Sequence, residues 1–175
     1  HPLMKEYGID AVPFAHEELD KWRDALRHGI QFFHEPTGLL VRGGIDDVWK
    51  GADGKIIIAD YKATSKKTEV NLDAEWQEGY KRQIEVYQWL FRRNGFPVSD
   101  TGYFVYANAD SDKAAFDAKL EFDIKIIPYV GNDEWVEPVL FKIKEVLDRS
   151  EVPAQKEDCD YCNYRAAVGE VLPKP

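Results

Sequence analysis

Hydrophobic positions recur with helical spacing in two segments of the first half of the chain. Leu19, Trp22 and Leu26 stand at i, i+3 and i+7, which predicts an amphipathic helix over residues 16–28. A longer helical pattern covers residues 72–94, and a glycine and then a proline follow directly after it. We therefore predict that this second helix is the longest of the chain.

Runs of apolar and β-branched residues outside these helices predict strands. The run Ile56–Ala59 is wholly apolar, as in a strand buried on both faces. Residues 119–127 alternate between apolar and polar positions, as in a half-exposed strand towards the edge of a sheet. Residues 1–15 and 65–71 are predicted to be irregular. The predicted strands cover residues 38–43, 43–49, 55–62, 101–108 and 119–127, and 43–49 pairs with 55–62 in a hairpin. The last predicted helix covers residues 132–149. Together the two element types predict an α/β fold.

Length and composition indicate one folded domain. The chain has 175 residues, of which 44% are hydrophobic and 13% aromatic. No stretch approaches the roughly eighteen consecutive apolar residues of a membrane helix, and no signal-peptide pattern is present, so we expect no membrane partner and a cytoplasmic location. The chain begins at His1 without an initiator methionine, so we interpret residues 1–175 as one domain of a longer protein, with a cysteine-bearing tail at 150–175.

Two acids and a lysine are the candidate chemistry of the predicted hairpin. Asp60 and Lys62 end its second strand two residues apart, so their side chains share one face. Asp46 lies fourteen residues earlier, on the strand that folds back against it. Two carboxylates and an ammonium suit a Mg²⁺ or Mn²⁺ ion beside a phosphodiester. The alternative is an Asp–Lys ion pair that only neutralises two charges at the end of a buried strand.

Three motifs in order resemble those of the PD-(D/E)XK nuclease superfamily. They are Gly-Gly-Ile-Asp-Asp-Val at 43–48, Ile-Ala-Asp-Tyr-Lys at 58–62, and Gln83 with Tyr87 on the long helix. The likeness is closest to the RecB-type exonuclease branch, which includes CRISPR-associated adaptation exonucleases, and it covers residues 37–95 closely. The resemblance implies a mixed central sheet flanked by helices, in a DNA-cleaving enzyme of repair, recombination or defence.

The resemblance also assigns roles to single residues. Asp46, Asp60 and the carbonyl of Tyr61 would bind Mg²⁺ or Mn²⁺, and Lys62 would be the catalytic lysine. Gln83 and Tyr87 would face the site from the helix, although the i, i+4 spacing of these two is equally consistent with packing. The site of catalysis is thus predicted to comprise Asp46, Asp60, Lys62, Gln83 and Tyr87.

Charge gives a mixed indication about a DNA partner. The net charge is −9, whereas phosphate binding usually requires a basic surface. Lysines cluster near the predicted site, and Lys66, Lys67 and Lys81 are the candidates for substrate binding. Asp47 stands where the family often has a basic residue, so we expect an extra negative charge near the metal. The alternative function is a catalytically inactive module of the same fold that binds nucleic acid or a protein.

Two further groups could bind metal. His16, Glu17 and Glu18 lie on the first predicted helix, from which the family often contributes a metal ligand. Cys159 and Cys162 form a Cys-x-x-Cys pair, which supplies two of the four ligands of a zinc or iron–sulfur site. Such a cofactor would require further cysteines upstream in a longer protein, and we interpret the pair in this chain as free thiols.

Overall fold

The computed structural model describes residues 2–112 and 118–171. The chain divides into two compact units, His1–Leu140 and Phe141–Pro175. The elements are α1 (Pro2–Glu6), β1 (Ala11–Pro13), α2 (Leu19–Arg23), β2 (Ile30–His34), β3 (Leu39–Gly43), β4 (Asp47–Gly51), β5 (Ile56–Thr64), the short 3₁₀ helix η1 (Glu75–Gln77), α3 (Glu78–Arg93), β6 (Thr101–Ala109), β7 (Phe122–Val130), α4 (Val136–Asp148) and α5 (Asp160–Val171). The prediction of one domain with a cysteine-bearing tail stays a prediction.

A five-stranded mixed sheet is the centre of the first unit. Its strand order is β1-β4-β5-β6-β7, and β2 and β3 form a separate antiparallel pair. β5 and β6 run parallel, while β4 and β5 form the predicted antiparallel hairpin. A parallel pair needs a crossover connection, which here contains η1 and α3. β7 lies at the edge, in agreement with its alternating sequence. No helix in the described ranges is long and apolar enough to cross a membrane.

The two faces of β5 pack against different hydrophobic clusters. Ile56 and Ile58 belong to the larger cluster, which also contains the buried stripe of α3. Ile57 and Ala59 point to the other face and pack in a smaller cluster with Trp49 of β4. Successive side chains of a strand alternate between faces, so an apolar run is what burial on both sides requires. The same alternation places Asp60 and Lys62 on the α3 face.

The first predicted helix is much shorter than its sequence pattern indicates. α2 ends at Arg23, and Leu26 is 90% exposed, so the predicted extension of the apolar stripe to Leu26 is wrong. The carboxylate of Asp24 accepts the N–H of Arg27 at 3.1 Å and contacts the ring of His28 at 2.9 Å. Such local side-chain bonds offer the backbone an alternative to helical hydrogen bonding, and they favour a turn after α2.

Other boundaries also differ from those predicted. The supposedly irregular N-terminal segment contains α1 and β1, and β2 precedes the predicted strand at β3. The long helix begins at Glu78 rather than at residue 72, because η1 intervenes. Short elements such as β1 carry too few residues for a periodic pattern, and their pairing with a distant strand forms them.

Candidate active site

Asp60 is a buried carboxylate at the point where the apolar part of β5 ends. Its side chain is only 1% exposed, and the ammonium of Lys62 lies 2.6 Å from its Oδ2 atom. The distance is that of a close, charge-assisted contact, whereas Oδ1 has no hydrogen-bond partner among the residues that the structure describes. The ion pair proposed as the alternative to a metal site is therefore present. It leaves the acceptor capacity of Oδ1 unused.

Asp46 lies beside Asp60, immediately before β4. Its Oδ2 atom accepts the backbone N–H of Tyr61 at 2.8 Å, which fixes the carboxylate next to β5. The pKa of Asp60 is raised, chiefly because burial disfavours its charged form; Lys62 opposes this shift, and the negative charge of Asp46 adds to it. A buried acid next to a second acid is stabilised by an additional cation or by a proton.

A series of hydrogen bonds connects Lys62 with two side chains of α3 and then with the backbone at Gly44. Lys62 donates to Gln83 Oε1 at 3.2 Å, and Gln83 Nε2 donates to the Tyr87 hydroxyl at 2.8 Å. Tyr87 in turn donates to the carbonyl of Gly44 at 2.7 Å. Burial raises the pKa of Tyr87, which keeps the hydroxyl neutral and able to donate. The structure thus brings Lys62, Gln83 and Tyr87 together.

Close approach explains the two glycines before Asp46. A Cβ atom at Gly43 would lie 2.6 Å from Cε1 of Tyr87, and one at Gly44 would overlap the Cβ of Ala25. Any side chain at either position would push the turn away from α3 or from the segment after α2. The Gly-Gly pair therefore lets the backbone carry Asp46 to β5 while Gly44 accepts the Tyr87 hydroxyl.

The role of the tyrosine can be tested by Tyr87→Phe. For the nuclease reaction that the sequence motifs imply, we expect kcat to fall about tenfold, because one or two hydrogen bonds of about 1 kcal/mol each hold Gln83 and thereby Lys62. KM should change less than about twofold, since the Tyr87 hydroxyl contacts Gln83 and the Gly44 carbonyl inside the fold. Steady-state kinetics on a labelled oligonucleotide measures both.

Tyr129→Phe is the matched control for this substitution. Its hydroxyl donates to Glu85 Oε1 at 2.6 Å, so the variant also loses a partly buried tyrosine hydrogen bond, but away from Lys62. We expect a comparable loss of stability with unchanged cleavage. Equal kinetic defects in the two variants would show that Tyr87 acts only through the stability of the fold.

Asp47 does not add its charge to the face that carries Asp60. Its carboxylate accepts the Tyr61 hydroxyl at 2.7 Å and Trp49 Nε1 at 3.1 Å, and it forms an ion pair with Arg23 at 2.5 Å. Trp49 belongs to the cluster on the other face of the sheet. The extra negative charge expected near the metal is thus compensated by Arg23 and by two donors on the opposite face of the sheet.

The sequence interpretation missed Arg23 and the hydroxyl of Tyr61. Arg23 donates to the backbone carbonyl of Asp46 at 3.0 Å as well as to Asp47, so it holds the start of β4. The pKa of Tyr61 is raised, first by burial and then by the adjacent Asp47 carboxylate. No sequence spacing links Arg23 to a partner 24 residues away. The only indication in the sequence was Asp47 itself, an acid at a position where the family that the motifs resemble often has a basic residue.

The three candidate substrate lysines have different surroundings. The ammonium of Lys66 lies 5.0 Å from the ring centroid of Trp76, and its backbone N–H and C=O bond the side chain of Asn108. Lys67 and Lys81 form exposed ion pairs with Asp112 and Glu78. Such pairs contribute only about 0–1 kcal/mol, so phosphate can compete for either lysine.

His16 and Glu18, two of the three candidate ligands before α2, have protein partners of their own. The ring of His16 stacks on Trp22 with centroids 4.5 Å apart, and its Nδ1 accepts the N–H of Glu18. Glu18 pairs with Lys21 at the surface. These contacts show that the ring of His16 packs in an aromatic cluster. In the described ranges, no group of three or more histidine, cysteine or acidic side chains is arranged to share a metal ion.

The available oxygen donors nevertheless fit a hard divalent cation. Asp46 and Asp60 provide two neighbouring carboxylates beside β5, and the unpartnered Oδ1 of Asp60 is where a ligand would be needed. Mg²⁺ commonly binds through one or two carboxylates and keeps several waters, so a third protein carboxylate is not required. Residues Asp46 and Asp60, with the Tyr61 carbonyl, would hold such an ion.

The second unit carries the cysteine pair at the start of α5. Cys159 and Cys162 are free thiols. The pKa of Cys159 is lowered by hydrogen bonds from Cys162, while that of Cys162 is raised by the same contact. Two thiols provide half of a tetrahedral site. The expectation that zinc or an iron–sulfur cluster needs cysteines from a longer protein stays a prediction.

Comparison with known proteins identifies the class. Residues 5–167, which are nearly the whole chain, match the PD-(D/E)XK nuclease superfamily. The chain belongs to the PD-(D/E)XK nuclease superfamily. The predicted fold class, a mixed central sheet flanked by helices, is confirmed. Membership supports nucleic acid as the substrate and hydrolysis as the general activity, and members of this superfamily typically use divalent metals.

Individual proteins add little to this assignment. A solved structure described as the crystal structure of SSO0001 is 22% identical, with a TM-score of 0.39. The alignment covers 77% of this chain and 53% of that chain, so this chain spans about half of the other protein's length. The TM-score is too low to support an argument about fold or function. No curated protein matches the sequence.

Proposed function

We propose that the chain is a Mg²⁺- or Mn²⁺-dependent deoxyribonuclease of the RecB-type exonuclease branch, similar to the CRISPR-associated adaptation exonucleases. It would cleave DNA phosphodiester bonds, from an end rather than internally, in repair, recombination or defence. The observation that supports this most is Asp60, a buried carboxylate that is paired with the ammonium of Lys62 through Oδ2, is influenced by the negative charge of Asp46, and has no protein hydrogen-bond partner for Oδ1 among the described residues.

The roles of the side chains follow from their positions. Asp46 and Asp60 would bind the cation, and the carbonyl of Tyr61 would complete the protein ligands. When bound there, the cation supplies positive charge that offsets charge on the non-bridging phosphate oxygens. Lys62 is held by Gln83, so its ammonium can orient the attacking water and neutralise charge that develops on the phosphate. Preorganisation of that lysine by Gln83 and Tyr87 means that little rearrangement is needed during the reaction.

Metal titration with DNA substrates tests the proposal. We expect cleavage of end-labelled DNA that requires Mn²⁺ or Mg²⁺, stops with chelator and is blocked when both DNA ends are closed. Mn²⁺ at about 100 times its Kd should stabilise the fold by about 2.7 kcal/mol and raise Tm by about 5–10 °C. Cleavage that is independent of added metal, or cleavage of closed circular DNA at the same rate, would contradict the metal or the exonuclease assignment respectively.

The alternative is an inactive nuclease-fold module that binds nucleic acid or protein. The net charge of −9 favours it, because an acidic protein attracts DNA weakly. Asp47 no longer supports it, since Arg23 compensates that charge. An inactive module that has lost its metal should show neither thermal stabilisation by Mn²⁺ nor cleavage. Retention of the complete set Asp46, Asp60 and Lys62 at one place favours the enzyme.

A further inference from the structure

Trp76 is a large aromatic side chain left at the surface close to the candidate active site. It is 57% exposed, whereas Trp22, Trp49 and Trp89 are buried. Its ring stands edge to face with that of Tyr80 on the first turn of α3, with centroids 5.4 Å apart. The indole packs against Tyr80, yet more than half of its surface remains accessible, so its aromatic face is available to a ligand.

The segment that carries Trp76 is firmly held. The neighbouring Gln77 is completely buried, and its Nε2 donates to the carbonyl of Asn71 at 2.6 Å and to the Tyr106 hydroxyl at 3.3 Å. Its Oε1 accepts the N–H of Ala74 at 2.9 Å. Three hydrogen bonds from one buried amide fix η1 against the sheet. The fold therefore presents Trp76 to solvent in a defined place.

Two lysines connect this aromatic pair with the candidate active site. The ammonium of Lys62 is 4.2 Å from the ring centroid of Tyr80, and that of Lys66 is 5.0 Å from the ring centroid of Trp76. The centroids of the Trp76 and Tyr80 rings are 5.4 Å apart. A stacked strand rises ~3.4 Å per nucleotide, so Trp76 lies within about three nucleotides of Lys62 along such a strand. Aromatic rings interleaved with lysines are the arrangement that binds single-stranded nucleic acid.

We propose that Trp76 and Tyr80 form a stacking platform for unpaired bases of single-stranded DNA, with Lys66 on an adjoining phosphate. This inference rests on the proposed function, because it positions the DNA strand whose phosphodiester bond would lie beside Lys62. An unpaired base presents its whole π-face to an indole, whereas a base within a duplex presents only its edge. Lys62 and Lys66 are the lysines that contact the two rings, so we place the phosphates of the stacked strand on their side.

Binding measurements with Ca²⁺ in place of Mn²⁺ test the platform without relying on cleavage. The probes are a fluorescein-labelled oligothymidylate and a duplex of equal length. We expect Trp76→Ala to weaken single-strand binding at least about fivefold and duplex binding less than about twofold, since one stacked base contributes about 1–3 kcal/mol. Trp76→Phe should retain most of the affinity but lose the quenching of tryptophan fluorescence by the single strand, because phenylalanine still stacks.

Matched variants separate stacking from charge and from loss of structure. Lys66→Ala should flatten the salt dependence of single-strand affinity by about 0.7 in the log–log slope, and Trp76→Ala should leave that slope unchanged. Tyr161→Ala, which removes another strongly exposed aromatic ring, should leave DNA binding unchanged. Each variant should also keep the wild-type Tm and circular dichroism.

The outcomes distinguish this inference from the proposed function. If the wild type cleaves DNA with Mn²⁺ but Trp76→Ala binds single strands as tightly as the wild type, the platform is wrong and the nuclease stands. Equal losses for single strand and duplex would also overturn the platform and favour a general DNA or protein contact at Trp76. If the wild type does not cleave, selective quenching of Trp76 by single strands still supports the platform in a binding module.

Discussion

Asp60→Asn should abolish metal-dependent DNA cleavage, with a loss of about 10³-fold or more. The amide keeps the shape of the side chain but lacks the negative charge that binds a divalent cation, and the cation contributes several kcal/mol to stabilising the charge of the transition state. The Mn²⁺-dependent rise in Tm should disappear in the same variant. Cleavage assays on single- and double-stranded DNA, with thermal unfolding at several Mn²⁺ concentrations, measure both effects.

The same substitution should stabilise the metal-free protein near neutral pH. Burial raises the pKa of Asp60, so the folded protein holds a proton on this group more strongly than the unfolded chain does. The stability that this linkage contributes is present below the pKa of the unfolded state, about 3.9, and is lost as pH rises through the folded pKa. Asparagine never ionises, so its advantage should be largest near neutral pH and should shrink as pH falls.

Asp53→Asn is the control for these measurements, because Asp53 is an exposed aspartate in the turn between β4 and β5. It should cleave DNA at the wild-type rate and respond to Mn²⁺ as the wild type does. Wild-type cleavage by Asp60→Asn would mean that the metal and the reaction belong elsewhere in the chain. A lower Tm of metal-free Asp60→Asn near neutral pH would mean that the Lys62 ion pair outweighs the cost of burial.

Asp47→Ala should be among the most destabilising single changes in the first unit, by about 3 kcal/mol and about 6–12 °C in Tm. The variant leaves the buried indole N–H of Trp49 and the hydroxyl of Tyr61 without their acceptor. It also leaves the guanidinium of Arg23 without its carboxylate, although Arg23 is partly exposed and water can solvate it. Urea or thermal unfolding of the metal-free protein measures the loss.

The matched control for Asp47 is Asp20→Ala, which removes an exposed aspartate from α2 and should change stability by no more than about 0.5 kcal/mol. Asp47→Asn should fall between the two, because an amide oxygen still accepts one of the hydrogen bonds. If Asp47→Ala left the stability unchanged but altered the response to Mn²⁺, Asp47 would act at the metal and not as a structural acceptor.

Local periodicity determined the part of the site that lies on single elements. The apolar run of β5 required burial on both faces, and its period of two placed Asp60 and Lys62 on the same face. The period of α3 placed Gln83 and Tyr87 four residues apart, where their side chains can touch, and they do so at 2.8 Å. The hairpin of β4 and β5 followed from the turn between two apolar runs. These relations hold because each depends only on residues close in sequence.

Contacts between distant segments decided the rest. The charge of Asp47 could not be judged without Arg23, which is 24 residues away. The exposure of Trp76 followed from the docking of Gln77 on Tyr106, 29 residues further along the chain. The sequence by itself determined which residues share a face of one strand or helix, since backbone geometry sets that spacing. Which faces meet, and which charges are thereby compensated, depended on long-range packing that only the tertiary structure provides.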